Sequence, residues 1–254
     1  MAPAPNVSVV TVVFNGNQHL RDCLESVASQ TGALVEHIVI DGGSTDGTLR
    51  LLEQWTDRLA FWVSEPDSGI ADAMNKGIRQ AHGDWILFLH ADDYLPDSTS
   101  LGNAIGRIKI ETDVAAFPVL FGTPPQLKQV RPRSVGPVLN IKLGMCHQGI
   151  LIRRDLFLRV GEHDTSHRVA MDYDFLLRAH RRGAMITTFA EPTLSVMRDT
   201  GISSRVDWPS LSKRFGEERA IHFRHAPGNA HRIAYGIYWA LYLPYRRLRA
   251  AMGR

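Results

Sequence analysis

Trp85–Tyr94, WILFLHADDY, is the stretch on which the fold of this 254-residue chain turns. Trp85 to Leu89 make a mostly apolar run of strand length, which reads as a strand buried on both faces. The chain then turns polar over His90, Ala91, Asp92 and Asp93. Two adjacent carboxylates just past the carboxyl end of a buried strand lie where open α/β sheets bind ligands. Neighbouring carboxylates repel, so holding both ionised favours a partner cation. Hard oxygen donors suit Mg²⁺ or Mn²⁺, and neither ion needs a full protein cage when a substrate phosphate completes the shell.

Upstream of this stretch the chain alternates strand and helix. Val7 to Phe14 is a β-branched run without helical period, hence a buried strand, broken by Asn15-Gly16-Asn17. Leu20, Cys23, Leu24, Val27 and Ala28 recur at helical spacing. His37 to Ile40 is a second strand, followed by the Gly-rich polar loop Asp41 to Thr48 and a helix opening at Leu49. Leu59 to Ser64 is a third strand, and Glu65-Pro66-Asp67-Ser68-Gly69 a turn. Ile70, Ala73, Met74, Gly77, Ile78 and Ala81 mark an amphipathic helix that ends near Gly83. The order β-α-β-α-β-α-β with short loops predicts a mostly parallel sheet with right-handed crossovers and helices on both faces. Asp41, Asp67 and Asp92-Asp93 each follow a strand, so a parallel sheet brings them to one edge; Asp and Gly are also ordinary turn residues.

The middle of the chain is less regular. The pattern predicts a helix over Ser98–Ile110 and strands over Val114–Phe121 and Lys128–Val135, as an antiparallel addition to the sheet. A loop or short helix spans Gly136–Gly144, and a short strand, Ile150–Arg153, follows His147-Gln148-Gly149. Helices are expected over Asp155–Val160 and from Ala170 on, with late strands at Met185–Phe189 and Leu194–Met197. From about Asp207 the chain reads as helical. Ile233–Leu243 is apolar and aromatic nearly all round, is interrupted by Pro244, and leads into Tyr245-Arg246-Arg247-Leu248-Arg249. Two readings stand for this segment: a monotopic helix at an anionic membrane surface, or a terminal helix packed on the main domain.

Composition bounds the rest. Lys and Arg total 29 against 26 Asp and Glu, a formal net charge of +3, which gives no ground for nucleic-acid binding. The surplus of Arg and His falls after Arg205 and suits an anionic neighbour or a solvated face. The two cysteines, Cys23 and Cys146, form no CxxC and no disulfide framework, so a reducing, cytoplasmic setting is the default. The opening MAPAPNVSVV lacks the basic and apolar regions of a secretory signal. No stretch reaches the roughly 18–20 apolar residues of a membrane span.

The ordered set VSVVTVVFNGNQHLRDCLESVASQ, VIDGGSTDGT, EPDSGIADAMNKGIRQAHGDWILFLHADD, CHQGILIRRDLF and MDYDFLLR, over about residues 6 to 182, resembles family 2 glycosyltransferases, inverting enzymes of the GT-A fold. The look-alikes build bacterial exopolysaccharides, O-antigens and envelope glycolipids. The resemblance implies a GT-A domain over 1–206, with a donor half over about 1–97 and an acceptor half over about 98–206, then a helical extension over 207–254. It implies transfer from a nucleotide-diphospho-sugar, with a UDP-sugar favoured, to a saccharide or lipid-linked acceptor, assisted by Mn²⁺ or Mg²⁺. Asp93 would bind the metal, and Asp92 would share it or hold the ribose. Asp41 would contact the base, and Thr11, Phe14 and Asn15 would line its pocket. Asp67 and Asp72 would touch or orient the donor, with Asn75 and Lys76 as weaker candidates. His147 and Gln148 would lie near the diphosphate or acceptor.

Asp172 would be the catalytic base, with Asp174 the alternative. Two departures from the family pattern matter. His90 stands where the metal motif usually carries an acid or polar residue, and Met171 stands in place of the first acid of the catalytic pair. Met171 leaves room for a non-catalytic nucleotide-sugar-binding scaffold of the same fold. A sugar-phosphate nucleotidyltransferase fits less well, because Asn15-Gly16-Asn17-Gln18-His19 lacks a Lys. Arg198–Arg205 is expected to be a surface loop or one that closes over the donor.

Overall fold

The computed structural model describes residues 6–133, 137–201 and 207–252. Its centre is a seven-stranded sheet in the order β3-β2-β1-β4-β8-β5-β9. The strands are β1 (Val7–Val13), β2 (Val35–Asp41), β3 (Phe61–Ser64), β4 (Trp85–Phe88), β5 (Val114–Ala116), β8 (Ile150–Arg153) and β9 (Ile186–Thr188). The first four are parallel, as the crossover pattern requires. Alternate β1 residues serve opposite faces: Val10 and Val12 join one core cluster, while Val9 and Val13 join two others. Burial on both faces is why β1 reads as an unbroken apolar run.

Helices α1 (Leu20–Ala28), α2 (Thr48–Trp55) and α3 (Ile70–Gln80) cover the sheet with the faces read from their spacing, among them Leu20, Cys23, Leu24 and Val27 on α1. Gly77 on α3 sits so close to β1 that a Cβ there would fall 2.3 Å from Val10 Cγ1, so the helix–strand contact depends on the missing side chain.

The middle departs from expectation. The helix expected over Ser98–Ile110 is confined to α4 (Ser100–Ile105). The run Val114–Phe121 is two strands, because the chain leaves the main sheet after Ala116 and starts β6 (Val119–Phe121) in a second one. β6 pairs antiparallel with β7 (Lys128–Val130) and parallel with β10 (Ser195–Met197). The strand expected over Lys128–Val135 thus ends at Val130, and residues 134–136 lie outside the described ones. Of the antiparallel addition expected from Val114–Phe121 and Lys128–Val135, only β5 joins the main sheet, antiparallel to β8 and parallel to β9, while β6 and β7 pair antiparallel in the second sheet.

Helices α5 (Arg154–Val160) and α6 (Met171–Arg181) precede β9. The chain ends in α7 (Trp208–Arg224) and α8 (Asn229–Ala251). Pro244 does not interrupt α8, which continues to Ala251 with the proline inside it. Leu211 and Phe215 of α7 pack against Tyr235 and Trp239 of α8. The pair is fastened to the body by His222 Nε2 to Tyr173 Oη (2.8 Å) and by Tyr235 Oη donating to the Asn140 carbonyl (3.0 Å). The inner face of this segment is therefore packed, as one of the two sequence readings has it.

Candidate functional site

Register sets the site. Val13 pairs with Asp41 and Asp41 with Ser64, while Val10 pairs with Phe88, so the carboxyl ends of β1, β2, β3 and β4 share one edge. β8 is antiparallel with Leu151 opposite Leu87, which brings the residues before it, His147 and Gln148, to the same edge.

Asp93 is 2% exposed and its Oδ1 accepts the Arg198 N–H at 2.9 Å. Burial, reinforced by the charge of Asp92, pushes its carboxyl up to about 8, against the hydrogen bonds from Arg198 and the Gln148 side chain. Asp92 Oδ2 accepts Thr200 Oγ1 at 2.7 Å. Arg198 also donates to the Asp92 carbonyl (2.6 Å) and to Asp22 (2.6 Å), and its guanidinium lies 4.8 Å from the Tyr94 ring centre. A buried carboxylate held above neutrality beside a second one is short of positive charge, and a divalent cation fits that deficit. Among the described residues no group of three or more His, Cys, Asp or Glu is placed to hold a metal. Asp92 and Asp93 would therefore supply only part of a shell, which phosphate and water oxygens would have to complete.

Burial holds the rings of the histidines beside these acids below the ordinary imidazole range. His147 stacks on Phe88 (5.0 Å, 29°), and its Nε2 has no partner among the described residues. Burial holds its ring down at about 4. His90, 6.1 Å from His147, is held at about 4 by burial and then by His147, while Asp92 and Asp172 pull the other way.

Asp172 opens α6. Its Oδ1 accepts the Tyr173 N–H at 2.7 Å, yet desolvation raises the carboxyl to about 6, against the neighbouring His90 and Arg214. The turn before it is held from α7: the Glu217 carboxylate accepts the N–H groups of Arg168 (3.0 Å), Val169 (2.8 Å) and Ala170 (2.9 Å). Such a carboxylate satisfies donors that a helix start leaves open. Asp174 faces away from the edge. It is 1% exposed, with Arg178 Nε at 2.8 Å and His225 Nε2 at 2.7 Å, so it ties α6 to α7.

On the β1 side, Phe14 is 66% exposed. Asn15, at φ 52°, clamps the next loop, accepting the Thr45 N–H (2.9 Å) and donating its own N–H to Ser44 Oγ (2.7 Å). A Cβ on Gly42 would lie 3.5 Å from the Phe14 ring and 2.5 Å from Asp67 Oδ2, so Phe14, Gly42 and Asp67 form one surface. Asp67 Oδ1 accepts the Gly69 N–H (2.8 Å) and Asp72 accepts the Ser68 N–H (3.0 Å), an interaction that also lowers the Asp72 carboxyl's pKa.

Two residues assigned to the base pocket, Thr11 and Asp41, are fully buried and engaged within the protein. Thr11 is fully buried with Oγ1 2.9 Å from His37 Nε2, because alternation along β1 turns it toward the core. Asp41 is fully buried too. Its oxygens take the Gly43 N–H (3.0 Å), the Ser44 N–H (2.9 Å), Ser44 Oγ and Ser64 Oγ (2.6 Å), so it holds the loop instead of facing outward. Asn75 is engaged in both directions with the His163 backbone, and Lys76 with Glu65. Arg198, Arg214 and Glu217 are the site residues the sequence did not single out for a role. Arg198 begins the loop noted there, whose residues 202–205 lie outside the described ones.

Beyond the carboxylates is a cavity of about 200 Å³ lined by Arg131, Arg133, Lys142 and Cys146, among others. The Cys146 thiol is pushed up to about 11 by burial and then by the charges of Asp172 and Asp93. A larger cavity of about 340 Å³ involves Leu24, His37 and Trp55, away from this edge.

The family profile described as "Glycosyl transferase family 2" matches residues 8–160. A PGL/p-HBAD biosynthesis glycosyltransferase of Mycobacterium bovis is 31% identical over 207 residues, 78% of each chain. The fold resembles that of S. aureus TarS 1–349 in complex with UDP-GlcNAc, with a TM-score of 0.68, 19% identity, and coverage of 88% of this chain and 68% of that one. Against a longer TarS chain the match spans 39% of that chain's length. It also resembles a mannosyltransferase from Pyrobaculum calidifontis in complex with GDP-Man and Mn²⁺, with a TM-score of 0.69, 21% identity, and coverage of 99% and 74%. With the profile covering most of the sheet and its ligand edge, the chain belongs to glycosyl transferase family 2.

Proposed function

We propose that the protein is an inverting, metal-dependent glycosyltransferase that moves a sugar from a nucleotide-diphospho-sugar, a UDP-sugar in preference, to a hydroxyl of a lipid-linked saccharide or glycolipid. The observation that carries the reading is the position of His90, whose ring is acted on by Asp92 and Asp172 together. The acids suited to a diphosphate-bound cation and the acid suited to proton removal thus act on the same neighbours, His90 and Cys146. Complexes of fold neighbours with UDP-GlcNAc and with GDP-Man and Mn²⁺ support a nucleotide-sugar donor.

In this scheme Phe14 offers its exposed face to the base, while Asn15, Asp67 and Asp72 hold the loops around it. Asp92 and Asp93 would hold Mn²⁺ or Mg²⁺, which would supply charge to offset the leaving diphosphate. His147 and Gln148 line the same edge, and Gln148 steadies Asp93. Asp172 accepts the acceptor's hydroxyl proton as that oxygen bonds to the sugar C1 and the C1–O bond to phosphate breaks, the nucleoside diphosphate leaving with the electron pair. Attack opposite the leaving group inverts the centre.

The cations Arg131, Arg133 and Lys142 beside Cys146 suit a phosphate in a lipid-linked acceptor. The reading divides the chain into a donor half over 1–97, an acceptor half over 98–206 and an extension from 207. It places the protein in the cytoplasm, peripheral to the inner membrane face through 233–254.

The test is slow donor hydrolysis, with water as acceptor, in Asp172→Asn. Hydrolysis is expected to fall by about 10²–10⁴-fold with nucleotide binding kept, and proton NMR of the wild-type product is expected to show the inverted anomer first. Unchanged hydrolysis in the variant, or a retained anomer, would contradict the scheme.

A further inference from the structure

α8 has two unlike faces. At about 100° per residue, Tyr235, Trp239, Tyr242 and Arg246 share the side that meets α7. Tyr235 is 6% and Trp239 2% exposed, and the Arg246 guanidinium lies 5.1 Å from the centre of the Phe215 ring. On the other side stand Ile233 (65% exposed), Ile237 (59%), Leu241 (70%), Tyr245 (52%), Leu248 (62%) and Met252 (58%). Each follows the last by three or four residues, so they line up along the helix over roughly 28 Å at 1.5 Å per residue. Ala234 and Pro244 occupy outward positions between them. Single exposed apolar residues are ordinary, but a continuous row of this length marks a surface that meets something.

Charge narrows the occupant. From Asn229 to Ala251 there is no Asp or Glu, while Arg247 and Arg249 are exposed on the two borders of the row and His231 and Arg232 stand near its start. A second copy laid antiparallel on this face would set His231 and Arg232 against Arg247 and Arg249, like charge against like. No described helix is long and apolar enough to cross a membrane. A helix with one apolar side and basic borders lies in the plane of a bilayer surface, with its cations at anionic headgroups.

We infer that α8 docks on an anionic lipid surface by the Ile233–Met252 row, held at its borders by Arg247 and Arg249. This deepens the lipid-linked-acceptor reading and rests on it for its purpose. α8 is packed on α7, α7 carries Arg214, and Arg214 acts on Asp172. Docking the row therefore holds the base side of the active site close to the bilayer.

The experiment is flotation of the full chain with vesicles of phosphatidylcholine alone or of phosphatidylcholine and phosphatidylglycerol in equal parts. The wild type is expected to float with the anionic vesicles and far less with the neutral ones. Ile237→Glu/Leu241→Glu changes two exposed side chains, so its thermal midpoint is expected to stay in place while partition falls by about tenfold or more. Arg247→Gln/Arg249→Gln is expected to weaken binding to anionic vesicles only. No flotation of the wild type, equal flotation of the Glu variant, or a solution dimer that the Glu variant dissociates would each overturn the inference. Nucleotide binding is read on the same proteins without vesicles, so failure of the docking surface and failure of the donor site give different results.

Discussion

Asp172 and Asp174 lie two positions apart on α6, and their surroundings separate their roles. Asp174 is closed off by Arg178 and His225, while Asp172 accepts backbone N–H groups, that of Tyr173 among them, and is shifted upward by desolvation to about 6. A base acts in its ionised form. With the metal saturating, so that Asp93 stays ionised, turnover is therefore expected to rise with pH through about 6 and to level off above it, in a profile of kcat/KM. A carboxylate at its ordinary value of about 4 would give a plateau reached nearly two pH units lower, and that outcome would count against Asp172. Asp174→Asn is expected to act on stability instead. It weakens two charge-assisted hydrogen bonds, at about 1–3 kcal/mol, lowering the urea midpoint while turnover per folded molecule is kept. Thr11 and Asp41 show where reading single residues stops. Both stand at or near strand ends in the sequence, yet the direction of alternation for Thr11 and the saturation of Asp41 by Ser44 and Ser64 become visible only once the strands are paired.

The elements divide by the range of the contacts that define them. β1 to β4 and α1 to α3 were legible because each has a long apolar run or a helical period of its own, and short loops leave the crossovers little choice. The second sheet was not legible, since β6 and β10 are three-residue strands that pair across more than seventy positions of sequence. Glu217 is the same case within the site: it holds the start of α6 from a helix 47 residues further on. Pro244 was misread because a proline inside a helical pattern usually ends it, whereas α8 continues on the support of its packing against α7. Gly77 is the contact on which the α3–β1 packing turns. Gly77→Ala would set a Cβ 2.3 Å from Val10 Cγ1, and overpacking of that kind is expected to lower stability by about 1–3 kcal/mol. Urea unfolding measures it, and an unchanged midpoint would mean that α3 yields without loss.

At the scale of the molecule, the parallel strands and the one antiparallel strand β8 bring Asp92, Asp93, His147 and Gln148 to a single edge, and Glu217 of α7 braces the turn before Asp172. The described cations at this edge, Arg198 and Arg214, are also paired with Asp22 and Glu218, so the site turns on what is bound beside Asp92 and Asp93. The most direct measurement is calorimetric titration of UDP, GDP and dTDP into the full chain with Mn²⁺ or with EDTA, alongside Asp93→Ala. The expected result is tight binding of one nucleotide, UDP in preference, that is lost with EDTA and in the variant. Binding that ignores both the metal and Asp93, or no binding of any of the three, would contradict a donor site built on Asp92 and Asp93.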